Sequence, residues 1–186
     1  MAMSDQDRFV HVVFQLDANR INASGSLENM NQLESWRDAG VVLMHMSQVA
    51  QGEARAGRNA QRSRKAISYI FSITYGDTPD ERAELQAIEH AIFPDGVRTQ
   101  NERNDVEIVF NAKKYGAILV TADGGSKRQP RGILGSRSAL RRLGVTVMTD
   151  SEAVAYVRQK ISERDERLRF RARREGTLLP PWVGAD

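Results

Sequence analysis

Residues 10–16 read Val-His-Val-Val-Phe-Gln-Leu and stop at Asp17. A short, nearly continuous apolar and β-branched run of this kind predicts a strand buried on both faces, as in a parallel sheet. Residues 41–46, Val-Val-Leu-Met-His-Met, predict a second such strand, with Ser47 as N-cap of a following helix that carries Glu53. Residues 117–121, Ala-Ile-Leu-Val-Thr, and 145–148, Val-Thr-Val-Met, predict a third and a fourth. Helical spacing fills the intervals. Leu27, Met30, Leu33 and Trp36 follow Ser26 and end at Gly40. Thr78-Pro79 opens a helix with Leu85, Ile88 and Ile92 on one face. Asn104 reads as the cap of a helix over 105–115, and Ser136 opens a short one to Leu143. Thr149-Asp150-Ser151-Glu152 has capping-box spacing and starts a long charged helix. Residues 54–76 fit either period, and a helix is the reading adopted. Alternating strands and helices predict an α/β fold. Its expected form is a three-layer sandwich around a central, mostly parallel sheet, with a helical insertion and a basic C-terminal helix. One domain over 1–158 is expected, followed by a basic, partly extended segment over 159–186.

At 186 residues the chain is long enough for one sizeable core. It has no cysteine, which excludes disulfides, thiolate zinc sites, iron–sulfur clusters and cysteine nucleophiles. Three histidines argue against a histidine-rich metal site. His11 and His45 lie in apolar runs and are expected in the core; His90 is expected in solvent. Trp36, Tyr69, Phe71 and Tyr75 are likewise read as core residues. No apolar run reaches the roughly 20 residues that span a bilayer, so no membrane partner and a cytoplasmic location are expected.

The net charge is only +3, but it is unevenly placed. Arg55, Arg58, Arg62, Arg64 and Lys65 form one basic block, and Lys127, Arg128, Arg131, Arg137, Arg141 and Arg142 a second. A third runs through 158–174, while 77–95 is acidic. Separated basic blocks favour a polyanion partner, and guanidinium forks fit phosphate oxygens well.

In sheets of this type ligands bind beyond the carboxyl ends of the strands. Asp17 ends the first strand, Asp123 lies just past the third, Asp105 sits on the helix feeding the third, and Glu53 lies on the helix after the second. Taken singly, Asp105 could compensate a helix dipole, Asp123 before Gly124-Gly125 could be turn chemistry, and Glu53 could be solvated. Together on one crevice they would conflict. Two carboxylates about 4 Å apart repel by roughly 4 kcal/mol at an effective dielectric near 20. Such a group takes up protons or recruits a cation, and an all-oxygen set suits Mg²⁺ or Mn²⁺. A hard divalent cation beside basic blocks points to phosphate-ester chemistry.

These same residues carry a family resemblance. Residues 13–19, Val-Phe-Gln-Leu-Asp-Ala-Asn, resemble the opening strand of PIN-domain nucleases, an apolar run followed by Asp, any residue and Asn. Ser47 through Glu53 resembles the family's helix with its second acid. Asn104-Asp105-Val106-Glu107-Ile108, then Gly116 through Thr121 and Asp123, resembles its third and fourth acids with the strand between. The resemblance covers about 9–20, 41–53 and 104–150. It implies a metal-dependent endoribonuclease in which Asp17, Glu53, Asp105 and Asp123 bind Mg²⁺ or Mn²⁺. Asn19, Ser47, Asn104 and Thr121 would orient them. Lys127, Arg128 and Arg131, with Arg55 and Arg58, would hold the RNA backbone, and Gly124-Gly125 would let it approach closely. RNA is the implied partner; a homodimer and an inhibitory protein partner stay open.

A catalytically silent RNA-binding module of the same fold is the alternative reading. Four acids facing phosphate weigh against it unless a cation intervenes. A nucleotide-using enzyme is disfavoured: no G-x-G-x-x-G follows the first strand, and no G-x-x-x-x-G-K-[ST] occurs. No G-x-S-x-G surrounds a serine, which leaves no nucleophile elbow.

Overall fold

The computed structural model describes residues 5–56, 58–125 and 131–186. Five strands form one parallel sheet: β1 (Val13–Leu16), β2 (Leu43–Ser47), β3 (Ile70–Ser72), β4 (Ile118–Val120) and β5 (Val147–Met148). Their order is β3-β2-β1-β4-β5. The helices are α1 (Glu28–Asp38), α2 (Gln48–Ala56), α3 (Ala60–Ile67), α4 (Pro79–Ile92), α5 (Gln100–Lys114), α6 (Gly132–Gly135), α7 (Arg137–Arg142) and α8 (Asp150–Glu175).

From β1 the chain steps outward through β2 to β3, then returns across β1 to β4 and β5. Right-handed crossovers therefore place α1 and the α4–α5 pair on opposite faces. α1 packs on α8, and α4 packs on α5 and α7. Phe14, Leu16, Met46, Leu119 and Val120 fill the centre with Met30, Leu33, Ile88, Ile108 and Leu140 from the helices. Burying each such side chain contributes about 1.5–3 kcal/mol. Trp36 is buried as expected.

Several local expectations change. The stretch 54–76 is not one helix: α3 ends at Ile67 and the chain turns into β3, a strand that among the described residues pairs only with β2. Ladder pairing decided between two equally good local periods. α5 starts five residues earlier than expected, because Thr99 and Glu102 form a capping box. Asn104 is thus inside the helix, and Asp105 lies in its second turn. His11 is exposed, in a left-handed backbone conformation (φ 56°) just before β1, and is no core residue. Phe71 and Tyr75 are exposed as well, whereas Tyr69 is buried with its hydroxyl donating to Glu34. The segment after 160 is helical as far as Glu175 and irregular beyond it. α8 runs unbroken from Asp150 to Glu175, with Val154, Val157, Ile161, Leu168 and Ala172 buried along it. No helix among the described residues is long and apolar enough to cross a membrane.

Candidate active site

The sheet order reverses between β1 and β4, and the carboxyl ends of these two neighbours form the crevice where an open α/β sheet binds ligands. Asp17 follows β1 directly, its N–H bonded to the Val120 carbonyl of β4 (3.0 Å). Asp17 is 4% exposed. Its Oδ2 accepts from the Thr121 hydroxyl (2.6 Å) and from the Asn19 amide (2.7 Å). The Thr121 oxygen in turn accepts the Asp123 N–H (2.9 Å), and Asn19 Oδ1 accepts the Ala122 N–H (3.0 Å). One short network thus locks the end of β1 to the turn after β4.

Asp123 is held from the other side. Its Oδ2 accepts the Ile133 N–H at the start of α6 (2.9 Å), and its carbonyl accepts the Leu134 N–H (2.9 Å). Two glycines make this closure possible. Gly124 (φ 76°) lies so close to the Arg131 carbonyl that a Cβ would stand 1.8 Å from that oxygen. Gly132 (φ 84°) would place a Cβ 2.5 Å from Asp123 Oδ2. Gly132→Ala should therefore displace the Asp123 carboxylate and destabilise the fold by about 1–3 kcal/mol, a change read by thermal melting. Gly125 gives its N–H to the Arg131 carbonyl (3.1 Å), so that amide is not open to an anion. Gly124 and Gly125 thus pack against Arg131 and Gly132.

Glu53, on α2, accepts a hydrogen bond from the Asn104 amide (2.6 Å). This bond ties the second acid to the helix that carries the third. Asp105 follows on α5 and is partly buried. Burial, followed by the negative charges of Asp123, Asp17 and Glu53, pushes its carboxyl up to about 8. Asp17 is also raised, first by burial, with Glu53 and Asp123 adding to the shift; the Thr121 hydroxyl opposes it. The four acids feel one another's charge, although no three of the described His, Asp and Glu side chains stand in a ready ligand set.

These interactions have a pH consequence. An unfolded aspartate titrates near 3.9. Because the folded Asp105 holds its proton up to about 8, its contribution to stability is complete below the unfolded value and is lost as pH rises between the two. Metal-free protein should melt at a lower temperature near pH 8.5 than near pH 6. Asp105→Asn should recover about 1–2 kcal/mol of the difference, a figure reduced for the partial exposure of the group. An unchanged pH profile in the variant would contradict the electrostatic coupling.

A cavity of about 330 Å³ opens beside Asp105 and Asp123, lined also by Arg98, Glu102, Arg131 and Gly132. Arg131 is highly exposed, with its nearest acid, Asp95, at 3.8 Å. Arg98 did not stand out in the sequence; it sits alone, outside every basic block, and only the fold brings it to the acids. Arg62 did belong to a block, but its guanidinium donates to the Ala18 carbonyl (2.8 Å) and braces the segment after Asp17. Arg55 and Arg58 are exposed near the end of α2. Ser47 caps α2 by accepting the Ala50 N–H (3.1 Å) and is buried. Lys127 and Arg128 lie outside the described residues.

The donor set around the crevice is oxygen-only, the chemistry that suits a hard divalent cation. Asp17 places a carboxyl group deep in the protein with two donors on one oxygen, and a charge there is costly without a counter-charge.

No family model and no curated protein matches the chain. Solved structures similar to it at low identity include three. One is FitAB bound to the IR36 DNA fragment, at 16% identity over 74% of this chain and 94% of that one (TM-score 0.45). Another is VapBC2 from Rickettsia felis bound to a DNA fragment from its promoter, at 15% over 74% and 98% (TM-score 0.46). The third is VapBC-1 from nontypeable Haemophilus influenzae, at 16% over 75% and 99% (TM-score 0.46). The chain has an α/β fold of five parallel strands in the order 3-2-1-4-5, with flanking helices and a long C-terminal helix, the architecture that the sequence resemblance implies.

Proposed function

We propose that the chain is a divalent-metal-dependent endoribonuclease. The observation that carries this reading is the electrostatic meeting of Asp17, Glu53, Asp105 and Asp123 at the sheet's switch point, from four separated segments. In this reading residues 1–158 are the nuclease domain and 159–186 its basic extension. The four carboxylates would hold Mg²⁺ or Mn²⁺. When bound, the cation would activate a water and neutralise charge on the scissile phosphate. Thr121 and Asn19 orient the Asp17 carboxylate, and the Asn104 amide orients Glu53. Arg131 and Arg98, at the mouth of the cavity, supply the positive charge that draws an RNA backbone past the acids. Lys127, Arg128, Arg55 and Arg58 extend that surface in the same proposal. The family resemblance leaves an inhibitory protein partner open, and co-purification from the native source would detect one.

The test is cleavage of labelled RNA, single-stranded and structured, with and without Mn²⁺. Cleavage that requires the cation, and that falls at least about a hundredfold in Asp123→Asn, is the expected result. Equal cleavage by both proteins overturns the proposal. RNA binding that is indifferent to chelator, with no cleavage, indicates the silent binding module instead.

A further inference from the structure

Arg164, Arg167 and Arg171 recur along α8 at intervals of three and four, so their side chains share one face of the helix. That face and the segment before β1 enclose a pocket of about 290 Å³. His11 lines it in a left-handed conformation (φ 56°) and is the one non-glycine residue with positive φ among the described residues. Held-open backbone of this kind gathers at binding sites. The exposed His11 ring meets Phe9 edge to face, 5.0 Å between centres. The pocket lies at the amino end of β1. Asp17 follows the carboxyl end, roughly 15–20 Å farther along at about 3.3 Å per residue. The chemistry proposed at the acids makes no use of this pocket.

Positive charge is in excess here. Arg164 is occupied by Asp165, Asp186 and the Arg8 carbonyl. Arg167 is exposed and makes no hydrogen bond or ion pair among the described residues. Glu163, one turn before it, is already held by Lys160 and Gln159. Arg171 pairs with Asp7 (3.2 Å), the one acid among the described residues that line the pocket, yet its buried Nε has no partner. Guanidiniums at i and i+4 repel each other, and one carboxylate does not neutralise both. A buried N–H without an acceptor is costly as well. A phosphate group relieves both, because its oxygens accept from guanidinium forks in pairs and its charge offsets theirs. Phe9 and His11 add an aromatic wall on which a flat base can stack. The volume sits at the lower end of small-molecule sites, which suits a single nucleotide better than a larger ligand.

We infer that this pocket binds the phosphate group of a nucleotide, with Arg167 and Arg171 holding the phosphate and His11 stacking on the base. The site is separate from the acidic crevice, and the proposal is independent of the nuclease reading.

Calorimetric titration of the full chain with adenosine 5′-monophosphate tests it, in chelator so that no cation draws the ligand to the acids. Wild type should bind with a dissociation constant below about 1 mM, and adenosine, which lacks the phosphate, at least about tenfold more weakly. Arg167→Glu should weaken the nucleotide at least about tenfold at an unchanged melting temperature, since the side chain it replaces is exposed. His11→Gly accepts the positive φ and should lower affinity for the nucleotide to that for inorganic phosphate. An RNA oligonucleotide that displaces the nucleotide only when it carries a 5′-phosphate identifies a strand end as the natural source; an oligonucleotide that never displaces it identifies a free nucleotide. No binding at millimolar nucleotide overturns the inference, and so does adenosine binding as tightly as its monophosphate. Affinity unchanged by Arg167→Glu overturns it as well, and affinity unchanged by His11→Gly overturns the placement of the base.

Discussion

Asp17→Asn should abolish metal-dependent RNA cleavage, by at least about a thousandfold, and leave the fold intact. Both halves follow from the same hydrogen bonds. The Thr121 hydroxyl and the Asn19 amide both donate to a single oxygen of Asp17. An asparagine carbonyl can accept both, so the network joining β1 to the turn after β4 survives. What disappears is the negative charge, buried where Glu53 and Asp123 oppose it. Removing it relieves like-charge repulsion, so the metal-free variant should melt at the same temperature as wild type or higher. Divalent cations should raise the melting point of wild type, as any ligand selective for the native state does, and raise that of the variant less. Cleavage that survives in Asp17→Asn would end the nuclease proposal. A variant that unfolds would instead place the importance of Asp17 in structure.

The largest stability loss is expected far from this crevice. Arg164 is 2% exposed and Asp165 is 3% exposed, side by side on α8. The guanidinium donates twice to Asp165 Oδ1 (2.9 and 2.7 Å), once to the Arg8 carbonyl (2.7 Å), and pairs with Asp186 (2.8 Å). Its plane stacks over Trp182, 4.7 Å from the ring centre. Asp165 Oδ2 accepts the Gly184 N–H (2.7 Å), and Arg8 pairs with Asp186 as well. One cation therefore clasps both termini to the last helix. Arg164→Ala leaves buried carboxylates facing each other and should cost about 3–5 kcal/mol. For a chain of this size that corresponds to a fall of roughly 10 °C in melting temperature. Arg174→Ala, at the exposed end of the same helix, should change stability by no more than about 0.5 kcal/mol. Equal melting of the two variants would show that the clasp contributes nothing.

Legibility differed by kind of residue. The runs before Asp17 and around 117–121 announced β1 and β4, because strands buried on both faces leave no polar alternation to confuse. The capping boxes at Thr78 and Thr149 open α4 and α8 where their local chemistry says they should. The box at Thr99 is as plain, yet Asn104 drew the reading to a later start; Asn104 instead serves the crevice through Glu53. Residues 69–75 read as core on composition, although Phe71 and Tyr75 face solvent. Composition registers that a side chain is apolar and says nothing of whether the sheet ends beside it. Arg164 looked like one more charge in a basic tail. Its burial comes from two chain termini that lie more than 150 residues apart in sequence, and no local pattern encodes such a contact.

Hydrophobic runs, caps and an oxygen-only set of acids are properties of neighbouring residues, so the chain alone determined an α/β fold with carboxylates at its strand ends. Which carboxylates sense one another is a property of strand order. The reversal between β1 and β4 sets Asp17 beside Thr121 and Asp123, and the crossing of α5 brings Asp105 and Asn104 to Glu53. The same order leaves β3 bare at the margin. Coulomb energy and solvent exposure depend on distances across the fold, and those distances are fixed only when the strands have chosen their partners.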